Sequence, residues 1–517
     1  MLAEAVVILG IPIDNLNMDE TVERIFSMIE AYKHDLRPRQ VATVNVDFLV
    51  NTLTWRLGRI GHPELMAILR QADLVTADGM PLVVVSRLLG TPLKERVTGA
   101  DLVPRLAKDA AMRGKSLYFL GGREEIAKRA AALLCERYPN LVIAGIDSPF
   151  VYIEGEKLSD AEETDREIVE RINNVKPDIL LIAFGNPKQE VWFNRNRHRL
   201  QVPVSIGIGG TFEFIAGVVR RAPFWMQKAG LEWVFRITQD PGRLWKRYFV
   251  GFFKFGFMVW PAVFYYRCMR LWHQLFRMKE AKSVHPSNQS FLVGYLHVIA
   301  LPGRLDAVTL ESVSGLVEQA LARPSNIIMD FGHVSFIDST ALGFLVRSLQ
   351  RADRVGNEIY FVGVTAKVRN FFELNRTWDL FQNRARDRID EVLTFLGTEN
   401  RLPPFYYFMT DSHDFTVLEL FGRIDAQQTA RLDIAALTSS LGHTNCILNL
   451  ARLDFVDSSG LIFFFKIQKY LINSGKRCVL CSLNDNVNRL FHLTKLNHLF
   501  LIAPDLAAAK RLLESNT

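Results

Sequence analysis

Glycines, amides and charged side chains follow several short apolar runs in the first half of the chain, and these types suit a phosphate- or sugar-bearing ligand. The residues are Thr43, Asn45, Asp78, Gly79, Gly185, Lys188, Gln189, Glu190, Gly209, Gly210 and Thr211. Glycine turns let backbone N–H groups approach a phosphate, and Thr or Gln can bind a sugar or uracil. A carboxylate such as Asp78 could take a proton from a hydroxyl, although Asp-Gly is also a strong turn dipeptide.

Other nucleotide and metal motifs are absent from the sequence. Gly207-x-Gly209-Gly210 lacks the G-x-G-x-x-G spacing, which makes an NAD-dependent oxidoreductase a weak alternative. There is no P-loop, no HExxH and no Asp-x-Asp, so a metal-bridged nucleotide site has no obvious ligands. We therefore predict no metal and no cofactor.

The apolar runs are predicted strands that alternate with helices. Strands are expected at 40–44, 72–76, 116–120, 141–144, 178–184 and 204–208, with helices between them, for example at 124–137 and 161–174. This alternation predicts an α/β fold with a mostly parallel, doubly wound, Rossmann-like sheet. Because ligands collect at the carboxyl ends of such strands, the polar residues are expected to meet at one edge.

The net charge of +7 is concentrated in one segment. Residues 220–282 hold thirteen Lys and Arg against three acidic residues, and five of the eight tryptophans. Within it, 248–266 is apolar except for Lys254, which is marginal for a spanning helix of ~20 residues. Cations flank both ends, so we favour a helix in the membrane interface or a re-entrant hairpin over a crossing or a buried core helix. Nucleic acid is not expected as a partner, and no signal peptide is predicted at the start.

The second half repeats itself at an offset of 119 residues. The block from Gly303 to Ala307 returns from Gly422 to Ala426, and Asp338-Ser339-Thr340 returns as Asp457-Ser458-Ser459. Two copies of one small α/β domain are therefore predicted. In each copy a strand leads to the Asp-hydroxyl block and then to a helix, where simple N-capping is the plain explanation for the block.

These blocks resemble the STAS domain of sulfate transporters and anti-sigma-factor antagonists, over roughly 290–397 and 404–515. The resemblance implies that a partner kinase can phosphorylate the second hydroxyl, which is Thr340 in the first copy and Ser459 in the second. Ser459 lies in a full Asp-Ser-Ser-Gly-Leu, whereas Thr340 precedes Ala341.

The N-terminal part, from about 5 to 250, resembles the WecG/TagA/CpsF glycosyltransferase family. The resemblance is carried by Thr43-Val-Asn45, Ala77-Asp78-Gly79, Arg96-Val-Thr98-Gly99, Phe119-Leu-Gly-Gly122, Gly185-x-Pro-Lys-Gln-Glu190, Gly207-x-Gly-Gly-Thr-Phe212, Arg221-Ala-Pro223, Gly230-Leu-Glu-Trp233, Arg236 and Pro241-x-Arg243. It implies inverting, metal-independent transfer of N-acetylmannosamine, its uronic acid or a related UDP-hexose to a polyprenyl-diphosphate-linked GlcNAc.

The resemblance also assigns roles to residues. Asp78 is expected to be the general base, while Thr43, Asn45, Arg96 and Gln189 line the sugar pocket. Arg236, Arg243 and Lys246 are expected to close over the UDP diphosphate. Gly185, Lys188, Glu190, Gly209 and Gly210 complete the predicted substrate site.

The expected organisation is a glycosyltransferase domain at 1–248 with an appendage from about 220, a basic aromatic segment at 249–285, and STAS domains at 288–397 and 404–515. A UDP-sugar, a lipid-linked acceptor and a membrane surface are the expected partners, with a kinase or other regulator at the STAS domains; the oligomeric state stays open. The location implied is the cytoplasmic face of the plasma membrane, peripheral or re-entrant. The alternative is a catalytically silent nucleotide-binding scaffold in STAS signalling.

Overall fold

The computed structural model describes residues 5–54, 60–152, 158–228, 230–275, 290–293, 296–322, 326–398, 404–411, 415–430, 432, 434–441 and 444–514. In chain order, the N-terminal domain contains β1 (Ala5–Ile8), β2 (Ile11–Asp14), α1 (Met18–Asp35), β3 (Arg39–Val44), α2 (Val46–Thr52), α3 (Pro63–Gln71), β4 (Leu74–Ala77), α4 (Met80–Leu88), α5 (Gly99–Arg113), β5 (Ser116–Gly121), α6 (Glu124–Arg137), β6 (Val142–Asp147), α7 (Leu158–Val175), β7 (Ile179–Ala183), α8 (Lys188–Asn196), β8 (Val204–Gly207) and α9 (Thr211–Ile215).

Six strands form one parallel sheet in the order β4-β3-β8-β7-β5-β6, which confirms the predicted α/β fold. All six predicted strands are present, each within three residues of its expected ends. Apart from the edge strand β6, the strands are nearly continuous runs of buried, mostly apolar residues because helices cover both faces of the sheet. The antiparallel hairpin β1–β2 stands apart from this sheet.

Three helices follow the sheet: α10 (Phe224–Lys228), α11 (Glu232–Gln239) and α12 (Pro241–Leu275). The last is one continuous helix of 35 residues that includes Pro261. The predicted re-entrant membrane hairpin is therefore wrong over these residues. One side of α12 packs into the core of the N-terminal domain through Phe255, Met258, Val259, Ala262 and Val263. The rest of the predicted basic segment, 276–285, lies outside the described residues.

The two C-terminal domains have the same topology, as the repeat predicts. The first contains β9 (Ser290–Val293), β10 (Leu296–Ala300), β11 (Arg304–Leu305), α13 (Leu310–Leu321), β12 (Asn326–Asp330), β13 (Phe336–Ile337), α14 (Ser339–Val355), β14 (Glu358–Val362), α15 (Ala366–Leu374), α16 (Trp378–Phe381), β15 (Ala385–Arg386) and α17 (Ile389–Thr398). The second contains β16 (Phe405–Asp411), β17 (Phe415–Ile424), α18 (Ala426–Thr429), α19 (Ile434–Leu441), β18 (Asn445–Val456), α20 (Ser458–Asn473), β19 (Cys478–Cys481), α21 (Asp485–Leu493), β20 (Leu501–Ala503) and α22 (Leu506–Glu514).

Each of these domains has a five-stranded sheet in which only the first strand is antiparallel to its neighbour. The orders are β15-β14-β12-β10-β9 and β16-β17-β18-β19-β20. The first of these domains packs its helix α14 on the β1–β2 hairpin, and Val7 of that hairpin joins the apolar core of the first STAS-like domain.

Candidate active site

A cleft of about 700 Å³ lies over the carboxyl ends of four neighbouring strands, β4, β3, β8 and β7. Helices α11 and α12 form its other wall, through residues that include Trp233, Tyr248 and Phe252. The volume falls within the range of small-molecule sites in proteins. The sheet edge and the basic appendage therefore enclose one space, as the sequence predicted.

Nine of the predicted site residues line this cleft together. They are Thr43, Asn45, Asp78, Arg96, Gly185, Gln189, Gly209, Gly210 and Arg236. They come from segments that follow four strands, from the connection between α4 and α5, and from the appendage, over a sequence separation of nearly 200 residues. The structure thus brings together polar positions that the sequence only placed at the ends of separate strands.

Asp78 directly follows β4, and its backbone N–H donates to the carbonyl of Val44 at 2.7 Å. This bond fixes the residue against the end of β3, next to the predicted sugar-binding Asn45. Burial raises the pKa of the Asp78 carboxyl to about 7; Arg236 and Arg96 oppose the rise. A carboxyl that titrates near neutral pH is well matched to accept a proton at physiological pH.

Two acidic residues that the sequence analysis did not select hold Arg96 in place. Its guanidinium donates to Glu232 of α11 at 2.9 Å and lies 3.7 Å from Asp101 of α5. Arg221 bridges the same two acids, at 2.9 Å from Asp101 and 3.3 Å from Glu232. Arg221 and Glu232 both lie in motifs that carried the family resemblance, so the sequence did point to them. The spacing of those motifs does not reveal that the two side chains form an ion pair.

Arg236 projects from α11 into the cleft. Its guanidinium lies 4.5 Å from the ring centroid of Phe214 and donates to the hydroxyl of Tyr248 at 3.4 Å. Its Nε is buried and has no hydrogen-bond partner among the described residues. A buried donor without a partner is costly, so this guanidinium is suited to an anionic ligand group.

Gln189 connects two strand ends at the floor of the cleft. Its Oε1 accepts from the backbone N–H of Gly209 at 3.1 Å, and its Nε2 donates to Glu190 Oε1 at 2.7 Å. A side chain at Gly207 would lie 2.5 Å from Gln189 Nε2, so glycine is required for this approach. Burial raises the pKa of Glu190 to about 8, and its Oε2 lacks a partner among the described residues.

Strand β3 and the residue after it contribute two side chains that make structural hydrogen bonds. The Thr43 hydroxyl donates to the Gly207 carbonyl at 2.8 Å, which ties β3 to β8 beneath the cleft. Asn45 is the N-cap of α2 and accepts from the backbone N–H of Phe48 at 3.3 Å. Both side chains still face the cleft while they hold the strand ends in register.

Three of the remaining predicted residues, Lys188, Glu190 and Lys246, lie outside the cleft lining. Lys188 is exposed, with its ammonium 5.6 Å from the ring centroid of Phe150, and Glu190 is buried behind Gln189. Lys246 is exposed on α12. The side chain of Arg243 lies outside the described residues. No group of three or more His, Cys, Asp or Glu side chains in the described part of the chain could hold a metal ion.

The two hydroxyls predicted as phosphorylation sites lie in different environments. Asp338 caps α14 by accepting from Ala341 at 2.8 Å, and Asp457 caps α20 by accepting from Ser459 at 2.8 Å. N-capping is therefore the observed role of both aspartates. Thr340 is buried, whereas Ser459 is only partly covered.

Comparison with known proteins places the protein among the glycosyltransferases. The chain belongs to the WecG/TagA/CpsF glycosyl transferase family, whose sequence model matches residues 6–267. The STAS domain model matches twice, at 293–388 and 407–509. Both matches confirm the resemblances seen in the motifs.

Curated relatives carry a more specific name. An N-acetylglucosaminyldiphosphoundecaprenol N-acetyl-beta-D-mannosaminyltransferase of Staphylococcus aureus is 31% identical over 240 residues, or 46% of this chain and 85% of that protein. One of the same name from Bacillus spizizenii is 31% identical over 36% of this chain and 68% of that protein. Among solved structures, the unphosphorylated anti-sigma factor antagonist SpoIIAA is 21% identical over 22% of this chain and 98% of its own, with a TM-score of 0.19.

Proposed function

We propose that this glycosyltransferase moves N-acetylmannosamine from UDP to the 4-hydroxyl of a GlcNAc that is linked to undecaprenyl diphosphate. The observation that carries the proposal is the partly buried carboxyl of Asp78, with a pKa of about 7, in a cleft that also contains Arg96 and Arg236. The names of the two relatives support this donor and acceptor. The uronic acid of N-acetylmannosamine, carried on UDP, and related UDP-hexoses are the alternative donors.

The proposed reaction is a single inverting displacement. The acceptor oxygen forms a bond to the anomeric carbon of the sugar while the bond from that carbon to the UDP oxygen breaks. The electron pair of the broken bond leaves with UDP, and the proton of the acceptor hydroxyl passes to Asp78. General-base help of this kind contributes roughly 10²–10⁴-fold to the rate.

Cations of the appendage are proposed to stabilise the departing diphosphate without a metal. The Nε of Arg236 is a buried donor with no partner in the described part of the chain, and the guanidinium lies close enough to Asp78 to lower its pKa. Charge-assisted hydrogen bonds to phosphate oxygens stabilise negative charge as it develops. Arg243 lies further along the same appendage and is a candidate for the same task, whereas Lys246 is exposed outside the cleft lining.

The lipid acceptor requires contact with a bilayer, and α12 offers a surface for it. Six exposed aromatic residues recur at spacings of three or four: Trp245, Phe249, Phe253, Phe257, Trp260 and Phe264. At ~100° per residue they cover about a third of the helix circumference, and the exposed Lys246 and Arg267 lie on the same side. We propose that this aromatic stripe lies in the cytoplasmic membrane interface, since aromatics and flanking cations favour that position.

The helix also meets the length and apolar composition of a membrane span between Leu244 and Cys268. Its opposite side, however, packs into the N-terminal domain. That packing favours an interfacial position over a crossing.

The STAS domains are proposed to regulate or dock the enzyme. Ser459 is the better candidate for a partner kinase, because Thr340 is buried.

Asp78→Asn tests the proposed base. UDP release from UDP-N-acetylmannosamine should require the lipid-linked GlcNAc acceptor in the wild type and fall at least 100-fold in the variant, because the base is lost. UDP binding, measured by calorimetry, should persist. Asp147→Asn is the matched control: Asp147 ends β6, outside the cleft, and bonds to Tyr118 and Arg171.

Near-normal turnover by Asp78→Asn would show that another group is the base. UDP binding by the wild type without turnover on any UDP-hexose would favour the silent scaffold instead.

A further inference from the structure

The first STAS domain is joined to the catalytic domain by a tight interface. Helix α14 packs so closely on β1 that a Cβ at Gly343 would lie 1.9 Å from the carbonyl oxygen of Ala5. On the other side of the interface, Arg70 of α3 pairs with Asp379 of the STAS domain at 2.6 Å and also donates to the Gly10 carbonyl at 3.0 Å. The hairpin is thus held between the two domains.

Arg347 is a second buried cation of this interface, beside Arg70. Its Nη2 lies 2.5 Å from Asp14 Oδ2 at the end of β2, and its Nη1 donates to the Ala72 carbonyl at 2.9 Å. Ala72 lies two residues before the edge strand β4 of the catalytic sheet. A single STAS side chain therefore bonds both to the hairpin and to the segment that enters β4.

Asp14, which bonds to Arg347, is also hydrogen-bonded to β4 itself. The same Oδ2 accepts from the backbone N–H of Val75 at 2.7 Å, on the outer edge of β4, where no strand of the described residues pairs with it. Val75 is three residues before Asp78, and Asp78 is bonded to Val44 on the inner edge. The strand that presents the proposed base is thus anchored on one side by a carboxylate that Arg347 holds.

We propose that Arg347 of the first STAS domain is a positioning residue for catalysis, which acts through Asp14 and β4 on Asp78. The proposal rests on the function assigned above to Asp78. It makes the first STAS domain a structural part of the active enzyme.

The electrostatics of Asp14 agree with this role. Burial raises the pKa of the Asp14 carboxyl, and the charge of Arg347 is the largest influence that opposes the rise. A buried carboxylate without its cation tends to protonate or rearrange. Loss of Arg347 should therefore disturb the hydrogen bond from Val75 to Asp14 that anchors β4, and not merely remove one surface contact.

The second STAS domain cannot take over this position. The residues equivalent to Gly343 and Arg347, at the offset of 119, are Ile462 and Lys466. Any Cβ at the first position collides with Ala5, and a lysine has a single donor group in place of the guanidinium fork. The contact is specific to the first copy.

Arg347→Met tests the proposal in the full chain. We expect kcat to fall about tenfold while KM for the donor stays within twofold, because the arginines of the cleft are untouched and only the base is misplaced. Arg347→Lys should recover part of kcat. In Asp14→Asn/Arg347→Met, kcat should exceed that of Arg347→Met, since the amide oxygen can still accept from Val75 without a buried charge.

Arg354→Met is the matched control. Arg354 lies on the same helix and interface and bonds to the Gln71 carbonyl and Asp73, each at 3.0 Å, but not to Asp14. Its kcat should stay within twofold of wild type, with a loss of melting temperature similar to that of Arg347→Met. Equal loss of kcat in both variants, or none in Arg347→Met, would overturn the proposal.

Hydrogen–deuterium exchange gives a readout that does not depend on the substrate. Arg347→Met should raise exchange in the peptide that contains β4, whereas Arg354→Met should not. If the wild type proves inactive on UDP-N-acetylmannosamine, the proposed function fails but this result still stands. Unchanged exchange in β4 would overturn the coupling itself.

Discussion

Asp78, which follows β4, and Glu190, in the first turn of α8, are two carboxyls whose surroundings suit them to different tasks. Asp78 lines the cleft, and its pKa of about 7 reflects burial opposed by two arginines. Glu190 lies behind Gln189, and its pKa of about 8 reflects burial opposed mainly by one amide hydrogen bond. At neutral pH Glu190 is protonated and shapes the floor, whereas Asp78 is poised between its two forms.

The pH profile of kcat/KM should report the titration of Asp78. A base must be deprotonated, so activity should rise with pH up to about 7 and level off above it. Arg236→Met should move the rising limb of this pH profile to higher pH, since the lost cation stabilised the Asp78 carboxylate. Glu232→Gln should move it to lower pH, since the lost anion opposed it.

Glu190→Gln should leave the position of the limb unchanged. A limb that vanishes in this variant would assign the titration to Glu190. Shifts of the Arg236 and Glu232 variants in the same direction would contradict the electrostatic account.

At the scale of an element, α12 serves two environments with one mostly apolar sequence. Its buried side completes the core of the catalytic domain, and Lys254 is satisfied there by the Val50 carbonyl at 2.9 Å. Its other side exposes the aromatic stripe. Because both sides are apolar, the sequence pattern alone could not separate a spanning helix from an interfacial one.

The aromatic stripe should govern membrane binding. In Phe249→Ser/Phe253→Ser/Phe257→Ser, sedimentation with vesicles of anionic lipid should drop at least tenfold, because three exposed rings are lost from the proposed contact. Turnover on a short, water-soluble acceptor analogue should be retained. Phe455→Ser, an exposed aromatic of the second STAS domain, is the control and should sediment like wild type; equal loss there would refute the assignment.

At the scale of the whole molecule, a duplicated domain has been used in two ways. The first copy is fixed to the catalytic domain through α14, where Gly343 permits close contact. The second copy exposes Ile462, Phe465 and Ile472 on the equivalent helix α20. The two copies thus differ at the helix position that contacts the catalytic domain in the first copy, where Gly343 corresponds to Ile462.

Gly343→Ile, which gives the first STAS domain the residue found at the equivalent position of the second, should disrupt this contact. The added side chain must displace Ala5 and the hairpin, so melting temperature and kcat should both fall. Gly315→Ala is the control, since a Cβ there meets open space in α13 and alanine favours the helix. A Gly343→Ile protein with wild-type melting and activity would show that the docked arrangement is dispensable.

The sequence by itself determined the α/β class, the positions of the strands and the domain repeat, and its predicted site residues include nine that line the cleft. These features are local or periodic: apolar runs of strand length, turn glycines and motifs at fixed spacing can be read without knowing contacts. It also indicated Asp78, because parallel strands place their carboxyl ends at one edge.

Only the tertiary structure decided what surrounds those residues. The pairing of Arg96 with Glu232 and Asp101, the raised pKa of Asp78 and the contact from Arg347 through Asp14 to Val75 join positions far apart in the chain. Lys188 and Lys246 belonged to the expected site by motif and appendage, but their side chains lie outside the cleft. Burial and long-range pairing depend on how elements pack, and spacing along a sequence does not encode that directly.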